Sequence, residues 1–149
     1  MKLSKELING FVMFLGIGIY FLLMEALGLS QYYILRIFNV LIVIYALNKT
    51  INSNLKEGIT GYMQNITSTA LTGFIGISLG IIGLIVYLNI FKENTYYINN
   101  LSEAFLFGGN PTIAEYSFGL FIEGIASVMM VVFINMQYWR TKNVFLSES

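Results

Sequence analysis

The sequence predicts an all-α polytopic membrane protein whose four transmembrane helices form an antiparallel bundle. Only 11% of the 149 residues are charged and 56% are hydrophobic, a balance suited to a lipid surrounding. Since about 20 helical residues cross the hydrocarbon layer, three of the four apolar stretches are long enough to span it and the second just suffices. We treat residues 1–149 as one transmembrane domain. The stretches are 8–29, 32–48, 66–91 and 112–138.

The positions of the basic residues predict that both termini are cytoplasmic. Positively charged loops resist translocation, so Lys and Arg collect on the cytoplasmic side. With this orientation the outer side holds only Lys92, apart from Arg36 inside a stretch. The inner side holds Lys2, Lys5, Lys49, Lys56, Arg140 and Lys142.

The connections between the stretches differ in character. The short link 28–31 predicts a hairpin of the first two helices. Segment 49–65 allows two interpretations, since either the flanking helices extend beyond the membrane edge or an interfacial helix forms. In the outer loop, apolar residues over 98–107 predict a short interfacial helix. Asn110 and Pro111 are typical of an N-cap followed by proline at the first helical position, and predict the start of the fourth helix.

Small residues form a stripe on the third stretch at spacings of three, four and three, so they share one helix face. Helices in lipid associate through close backbone approach at such residues. The stripe therefore indicates either packing within this chain, with Gly16 and Gly18 facing it, or a homodimer seam. The stripe consists of Gly73, Gly76, Gly80 and Gly83.

Three charged residues lie inside the apolar stretches: Glu25, Arg36 and Glu123. An isolated charge at mid-membrane costs about 2.5–3.5 kcal/mol on insertion scales, so partners are expected. Hairpin geometry places Glu25 and Arg36 at similar heights, and Arg36 is expected to reach Glu25, Glu123 or both. Because one cation cannot balance two acids, the deeper Glu123 is expected to be protonated. Asn39, one turn beyond Arg36, is expected to complete the cluster by hydrogen bonding.

This candidate ion or proton site has two interpretations. In one, Glu25 and Arg36 clamp the hairpin and Glu123 is a neutral packing residue. In the other, Glu123 exchanges protons or binds a cation along a polar path. The second is favoured by polar and small residues that recur every four positions on the fourth stretch. These are Glu115, Gly119, Glu123 and Ser127.

Composition excludes several classes of chemistry. The chain contains no Cys and no His, and all eight of its acids are Glu. Thiolate and imidazole metal sites, haem ligation and nucleophiles activated by His are therefore excluded. We expect no catalytic residues, no cofactor and no metal. The net charge of zero gives no reason to expect a nucleic-acid partner.

Several short motifs together resemble a bacterial four-span membrane family of unknown function. The motifs are Arg36-Ile37-Phe38-Asn39, Glu57-Gly58-Ile59-Thr60-Gly61-Tyr62, Phe121-Ile122-Glu123-Gly124-Ile125 and Met136-Gln137-Tyr138. The resemblance implies an inner-membrane location in a Gram-negative cell and supplies no activity. The architecture is also similar to that of small multidrug transporters, whose membrane-embedded Glu lies in the first span, whereas Glu123 lies in the fourth.

These observations predict a non-enzymatic small subunit or accessory of a larger inner-membrane assembly. Its expected partners are the lipid bilayer and either another membrane protein or further copies of itself. Short loops and a glycine stripe favour this interpretation. The alternative is a small homo-oligomeric proton- or cation-coupled transporter or channel that uses Glu123.

Overall fold

A computed structural model of the chain describes residues 4–30, 32–91, 111–142 and 144–145. The predicted interfacial helix over 98–107 lies outside these residues, as do Lys2, Lys92 and Asn110. Regular structure in the described part is entirely helical, which confirms the all-α prediction. The helices are α1 (Ser4–Ala26), α2 (Tyr33–Arg36), α3 (Asn39–Lys56), α4 (Tyr62–Phe91) and α5 (Ile113–Thr141).

Four helical segments are long and apolar enough to cross a membrane, as the composition predicted. One of them combines α2 and α3 as Ile34–Lys56, and α1, α4 and α5 are the others. Helix α1 begins at Ser4, four residues before the predicted boundary. It ends in a turn where Gly28 has φ of 68° and the amide of Leu29 donates to the carbonyl of Met24 (2.8 Å), which is the pattern of a Schellman cap.

The second stretch is interrupted at 37–38. There the amide nitrogens of Ile37 and Phe38 donate to carbonyls three residues earlier, at 3.3 and 3.2 Å. Such i→i−3 bonds tighten a helix end, so α2 is a single turn that leads into α3. Arg36 is its last residue. This turn lies within the second candidate membrane span, Ile34–Lys56.

The third helix continues to Lys56 and α4 begins at Tyr62, so the helices themselves occupy most of segment 49–65. This agrees with the interpretation in which the flanking helices extend. Gly58 makes the turn between them with φ of 78°, a conformation that residues with a Cβ seldom adopt.

The N-cap of α5 is Thr112, so the prediction that Asn110 caps this helix is wrong. The Thr112 hydroxyl accepts from the amide of Glu115 (3.2 Å), and the Glu115 carboxylate accepts from the amide of Thr112 (2.8 Å). These reciprocal bonds form a capping box. Glu115 is therefore bound at the helix start and does not belong to a polar path through the bundle.

Side-chain contacts fix how the helices run past one another. Along α1 and α4 the contacts follow the same order, from Glu6 with Ser68 to Phe21 with Tyr87. Between α1 and the second stretch the order reverses, because Tyr20 donates to the carbonyl of Leu35 whereas the earlier Asn9 donates to Thr50. The main core consists of Met13, Val43, Ala46, Leu47, Ile51, Val128, Val131, Val132 and Met136.

The glycine stripe of α4 contacts two different helices of this chain. A Cβ at Gly73 would collide with Val128 of α5. At Gly76 it would meet Met13 at 2.8 Å, and at Gly83 it would meet Phe14 at 2.9 Å, both on α1. At Gly80 it would meet no described atom within 4 Å.

Gly16 and Gly18 of α1 do not pack on this stripe. A Cβ at Gly16 would meet Ile42 of α3 at 2.7 Å, and one at Gly18 would meet no described atom within 4 Å. The expectation that Gly16 faces the α4 glycines is wrong, because Gly16 packs against α3.

Candidate functional site

Most buried and half-buried polar side chains fall into two groups, and α3 contributes to both. The Arg36 cluster is named for the contact of Arg36 with Tyr116. It also includes Asn39, one turn after Arg36, and Ser117 and Glu123, which follow Tyr116 on α5. The Glu6 cluster consists of Glu6, Asn9, Thr50, Asn54, Asn65, Ser68 and Thr72. Between Asn39 and Thr50, α3 carries only Val43, Ala46 and Leu47 as buried residues. The eleven residues that separate Asn39 from Thr50 span about 16 Å of helix rise, so an apolar layer divides the clusters.

The Arg36 cluster is organised by a contact between the second stretch and α5. Nη2 of Arg36 donates to the Tyr116 hydroxyl at 2.6 Å, and the guanidinium carbon lies 5.9 Å from the centre of the tyrosine ring. Tyr116 is 2% exposed and packs with Leu88 of α4. The phenol thus gives the guanidinium both a hydrogen-bond acceptor and a π face.

The predicted carboxylate partners of Arg36 have different positions. Glu123 lies two turns after Tyr116 on α5 and interacts electrostatically with its phenol. Among the described residues Arg36 and Glu123 form no direct ion pair. Glu25 is half-buried in the last turn of α1, and its pairing with Arg36 stays a prediction.

Three polar atoms of the Arg36 cluster are buried without a hydrogen bond to the described part of the chain. They are Nη1 of Arg36, Oδ1 of Asn39 and Oγ of Ser117. The expected hydrogen bond from Asn39 to the cluster is therefore not formed by its carbonyl oxygen. Each of these atoms is a buried polar group that ordered water would satisfy.

The Glu6 cluster was not predicted from the sequence. Glu6 is completely buried, and its Oε1 accepts from the Ser68 hydroxyl at 2.6 Å. The first apolar stretch begins at Ile8 in the sequence, so Glu6 precedes the predicted span. The neighbouring Lys5 directs its ammonium to Glu57, with a separation of 2.8 Å.

A series of hydrogen bonds continues from Ser68 into the bundle. Oγ1 of Thr72 donates to the carbonyl of Ser68 (2.9 Å) and lies 3.1 Å from Oγ1 of Thr50. Thr50 in turn accepts from the amide of Asn9 at 3.0 Å. The series ends where Met13 packs over Gly76. Polar groups therefore enter the bundle by about one helical turn and then meet the apolar core.

Side-chain amides join the end of α3 to the start of α4. Nδ2 of Asn54 donates to Oδ1 of Asn65 at 3.0 Å, and Nδ2 of Asn65 donates to the carbonyls of Ile59 and Gly61. On the side of α5, Trp139 donates its indole N–H to Oδ1 of Asn48 at 2.8 Å.

The sequence did contain a signal for the Glu6 cluster. Polar residues recur at helical spacing of three or four, as Glu6 and Asn9 on α1, and Thr50 and Asn54 on α3. On α4 the corresponding run is Asn65, Ser68, Thr69 and Thr72. Such periodicity places these side chains on one face of each helix. Most of them are uncharged, so charge alone does not mark this face.

Comparison with known proteins gives no further identification. No protein-family model, curated protein or solved structure matches this chain. Within the described residues, no group of three His, Cys, Asp or Glu could hold a metal ion. The function therefore has to be inferred from the two clusters and from the outer surface of the helices.

Proposed function

We propose that this chain is a non-enzymatic multi-pass protein of the bacterial inner membrane, a small subunit or accessory of a larger membrane assembly. Its four transmembrane segments form an antiparallel bundle with both termini in the cytoplasm. The described connections support this, since 27–32 and 57–61 are only six and five residues long. Such connections offer little surface outside the lipid, so recognition of a partner falls mainly to the helices.

The proposed orientation is supported by the ends at which charges lie. The Lys5–Glu57 pair joins the start of α1 to the end of α3, and exposed Lys49, Lys56 and Arg140 lie near the same end. Arg36 belongs to the other end of the second stretch. This asymmetry is the positive-inside pattern.

One observation carries the subunit proposal, the open space at Gly80. The other three glycines of the stripe pack against side chains of this chain, namely Val128, Met13 and Phe14. A Cβ at Gly80 would meet no described atom within 4 Å. In lipid, where apolar side chains gain little by leaving the solvent, such a gap allows close approach by a helix of another protein. The occupant we propose is a transmembrane helix of a larger partner.

Native mass spectrometry of gently extracted protein, expressed at its natural level, tests this proposal. We expect a stoichiometric complex with a larger protein, and we expect Gly80→Leu to abolish it. Ala126→Leu is the matched control, since it adds the same bulk at an exposed position of α5. A homo-oligomer, or a monomer with no partner, would overturn the proposal.

A second candidate function is proton- or cation-coupled transport by a small homo-oligomer. It is favoured by the position of Glu123, a half-buried carboxylate two turns after Tyr116 and towards the middle of α5. If Glu123 carries protons, Glu123→Gln abolishes proton flux in liposomes while the fold persists. If Glu123 only packs, the same variant retains both fold and function. Glu115→Gln is the control, because Glu115 serves the helix cap.

A further inference from the structure

Glu6 presents an unusual combination of burial and incomplete hydrogen bonding. The residue is 0% exposed, and its Oε1 accepts from Ser68. Its second oxygen, Oε2, is buried and has no hydrogen-bond donor in the described part of the chain. The adjacent cation, Lys5, is directed towards Glu57. Burial of a carboxylate oxygen without a hydrogen-bond donor is unfavourable unless a ligand satisfies it.

A second buried acceptor lies at the same end of the bundle. Oδ1 of Asn54 also has no donor among the described residues, because the contact of Asn54 with Asn65 uses its Nδ2. Asn65 and Ser68 are three residues apart on α4, which places their Cβ atoms about 5–6 Å apart. Glu6 and Asn54 are therefore attached to the same two turns of α4, one from α1 and the other from α3.

An unsatisfied donor at this end of the bundle, Nδ2 of Asn135, belongs to α5, where Oδ1 of Asn135 accepts from Asn48. Between α1, α3 and α4 the unsatisfied atoms are the two acceptors of Glu6 and Asn54, which indicate a ligand that is electron-poor.

Two neighbouring hydroxyls can add to these acceptors. Ser68 donates its proton to Glu6, and Thr69 donates its proton to the carbonyl of Asn65. A hydroxyl that donates still has lone pairs with which to bind a cation. Ser68 and Thr69 are 2% and 0% exposed, so water does not reach them freely.

The charge of the site selects the ligand. Glu6 is the only carboxylate of the cluster, and α4 contains no charged residue over Tyr62–Phe91. One bound unit of positive charge therefore balances the site, whereas a divalent ion would leave an excess charge buried. Divalent sites in proteins also recruit several carboxylates, and no group of three metal-ligating side chains occurs in the described ranges.

We propose that Glu6 and Asn54, with the hydroxyls of Ser68 and Thr69, bind one monovalent metal cation, either Na⁺ or K⁺. All of these ligands are oxygens, which suits a hard cation. The ion would link α1, α3 and α4 at one end of the bundle. The Lys5–Glu57 pair lies at the rim, and the Thr50–Thr72 contact lies one turn deeper.

Thermal unfolding of the full chain in detergent tests the proposal. The salts NaCl, KCl and choline chloride are compared at equal ionic strength and fixed pH, so that general screening is the same in each. We expect Na⁺ or K⁺ to raise Tm in a saturable manner and choline to leave it unchanged. The cation with the lower half-saturating concentration is the preferred ligand.

Two variants connect the effect to this site. Glu6→Gln should abolish the cation-dependent rise in Tm, and Glu57→Gln, which removes the exposed carboxylate of the rim, should retain it. If Glu6→Gln does not fold, Asn54→Ala replaces it and should raise the half-saturating concentration at least about tenfold, equivalent to about 1.4 kcal/mol. Direct binding of radioactive sodium, or of rubidium in place of potassium, provides an independent measurement.

Three outcomes would overturn the proposal. The first is a Tm that does not depend on the cation, and the second is an equal dependence in Glu6→Gln. The third is stabilisation by acid alone in choline, abolished by Glu6→Gln, which would identify a proton as the ligand. The proposal is independent of the subunit function, because partner mass in native mass spectrometry and cation-dependent Tm are separate measurements.

Discussion

Nη2 of Arg36 lies 2.6 Å from the hydroxyl oxygen of Tyr116, although 80 positions separate the two residues in the chain. The contact joins the end of α2 to the first turns of α5. A guanidinium inside a membrane protein requires such a partner, since hydrocarbon offers none. The phenol fulfils this role in addition to any carboxylate that approaches Arg36.

The first prediction is that Tyr116→Phe destabilises the protein by about 1–3 kcal/mol, because it removes the acceptor of a buried charged donor. Thermal or denaturant unfolding in detergent measures the loss. Arg36→Met should cost a similar amount, and the double variant should cost less than the sum, with a coupling energy of about 0.5–3 kcal/mol.

Tyr45→Phe is the control for this experiment, since Tyr45 is 62% exposed. It should change the free energy of unfolding by less than about 0.5 kcal/mol. Additive effects of Arg36→Met and Tyr116→Phe would mean that the hydrogen bond contributes nothing to stability. Arg36→Ala should also impair folding, and a protein as thermostable as the parent would refute the clamp at this residue.

The second prediction concerns the packing of α4 against α5 at Gly73. Gly73→Ala places a methyl group against both Cγ atoms of Val128, one of which lies 3.0 Å from the new Cβ. Overpacking of this kind costs about 1–3 kcal/mol. Val128→Ala in the same chain should restore part of the loss, and Gly80→Ala should be tolerated by the isolated protein. Equal effects of the two glycine substitutions in detergent would contradict this assignment.

Hydropathy was sufficient to predict four helices long and apolar enough to span a membrane, whereas the contact of Arg36 with Tyr116 was not predicted. Long apolar runs leave only helices as a way to satisfy the backbone in lipid, so α1, α4 and α5 were predicted with boundaries wrong by only a few residues. The interruption at 37–38 could not be predicted, because no proline or glycine marks it. It depends on tertiary contacts such as that between Tyr20 and Leu35.

The Glu6 cluster shows a different limit of sequence-based prediction. Asn, Ser and Thr carry no charge, and many such residues in membrane helices bind only their own backbone, as Thr67 does with Met63. Whether they meet across helices depends on helix rotation, which the sequence pattern restricts only weakly. Tyr116 was overlooked for a related reason, because its ring is compatible with a purely apolar face until Arg36 is placed against it.

The third prediction is that Asn65→Leu is among the most destabilising single substitutions of a neutral residue. It removes the side-chain donor for the carbonyl of Ile59 and the acceptor for Asn54, whereas the carbonyl of Gly61 keeps its bond from the backbone amide of residue 65. Each polar group left buried without a partner costs about 1–3 kcal/mol. Unfolding measurements should show a larger loss than for Tyr116→Phe. Gln64→Leu, at an exposed position beside it, is the control and should have little effect.

The fourth prediction is that the Lys5–Glu57 ion pair contributes little to stability despite its short separation of 2.8 Å. Glu57 is 53% exposed, so water solvates its carboxylate, and pairs of this kind contribute about 0.2–1 kcal/mol. Glu57→Gln should therefore lower Tm slightly at low salt and not at about 1 M salt, where screening acts within about 3 Å. If Glu57→Gln lowered the free energy of unfolding by more than about 2 kcal/mol and the loss persisted in high salt, the prediction would be wrong, because a solvated ion pair does not contribute that much.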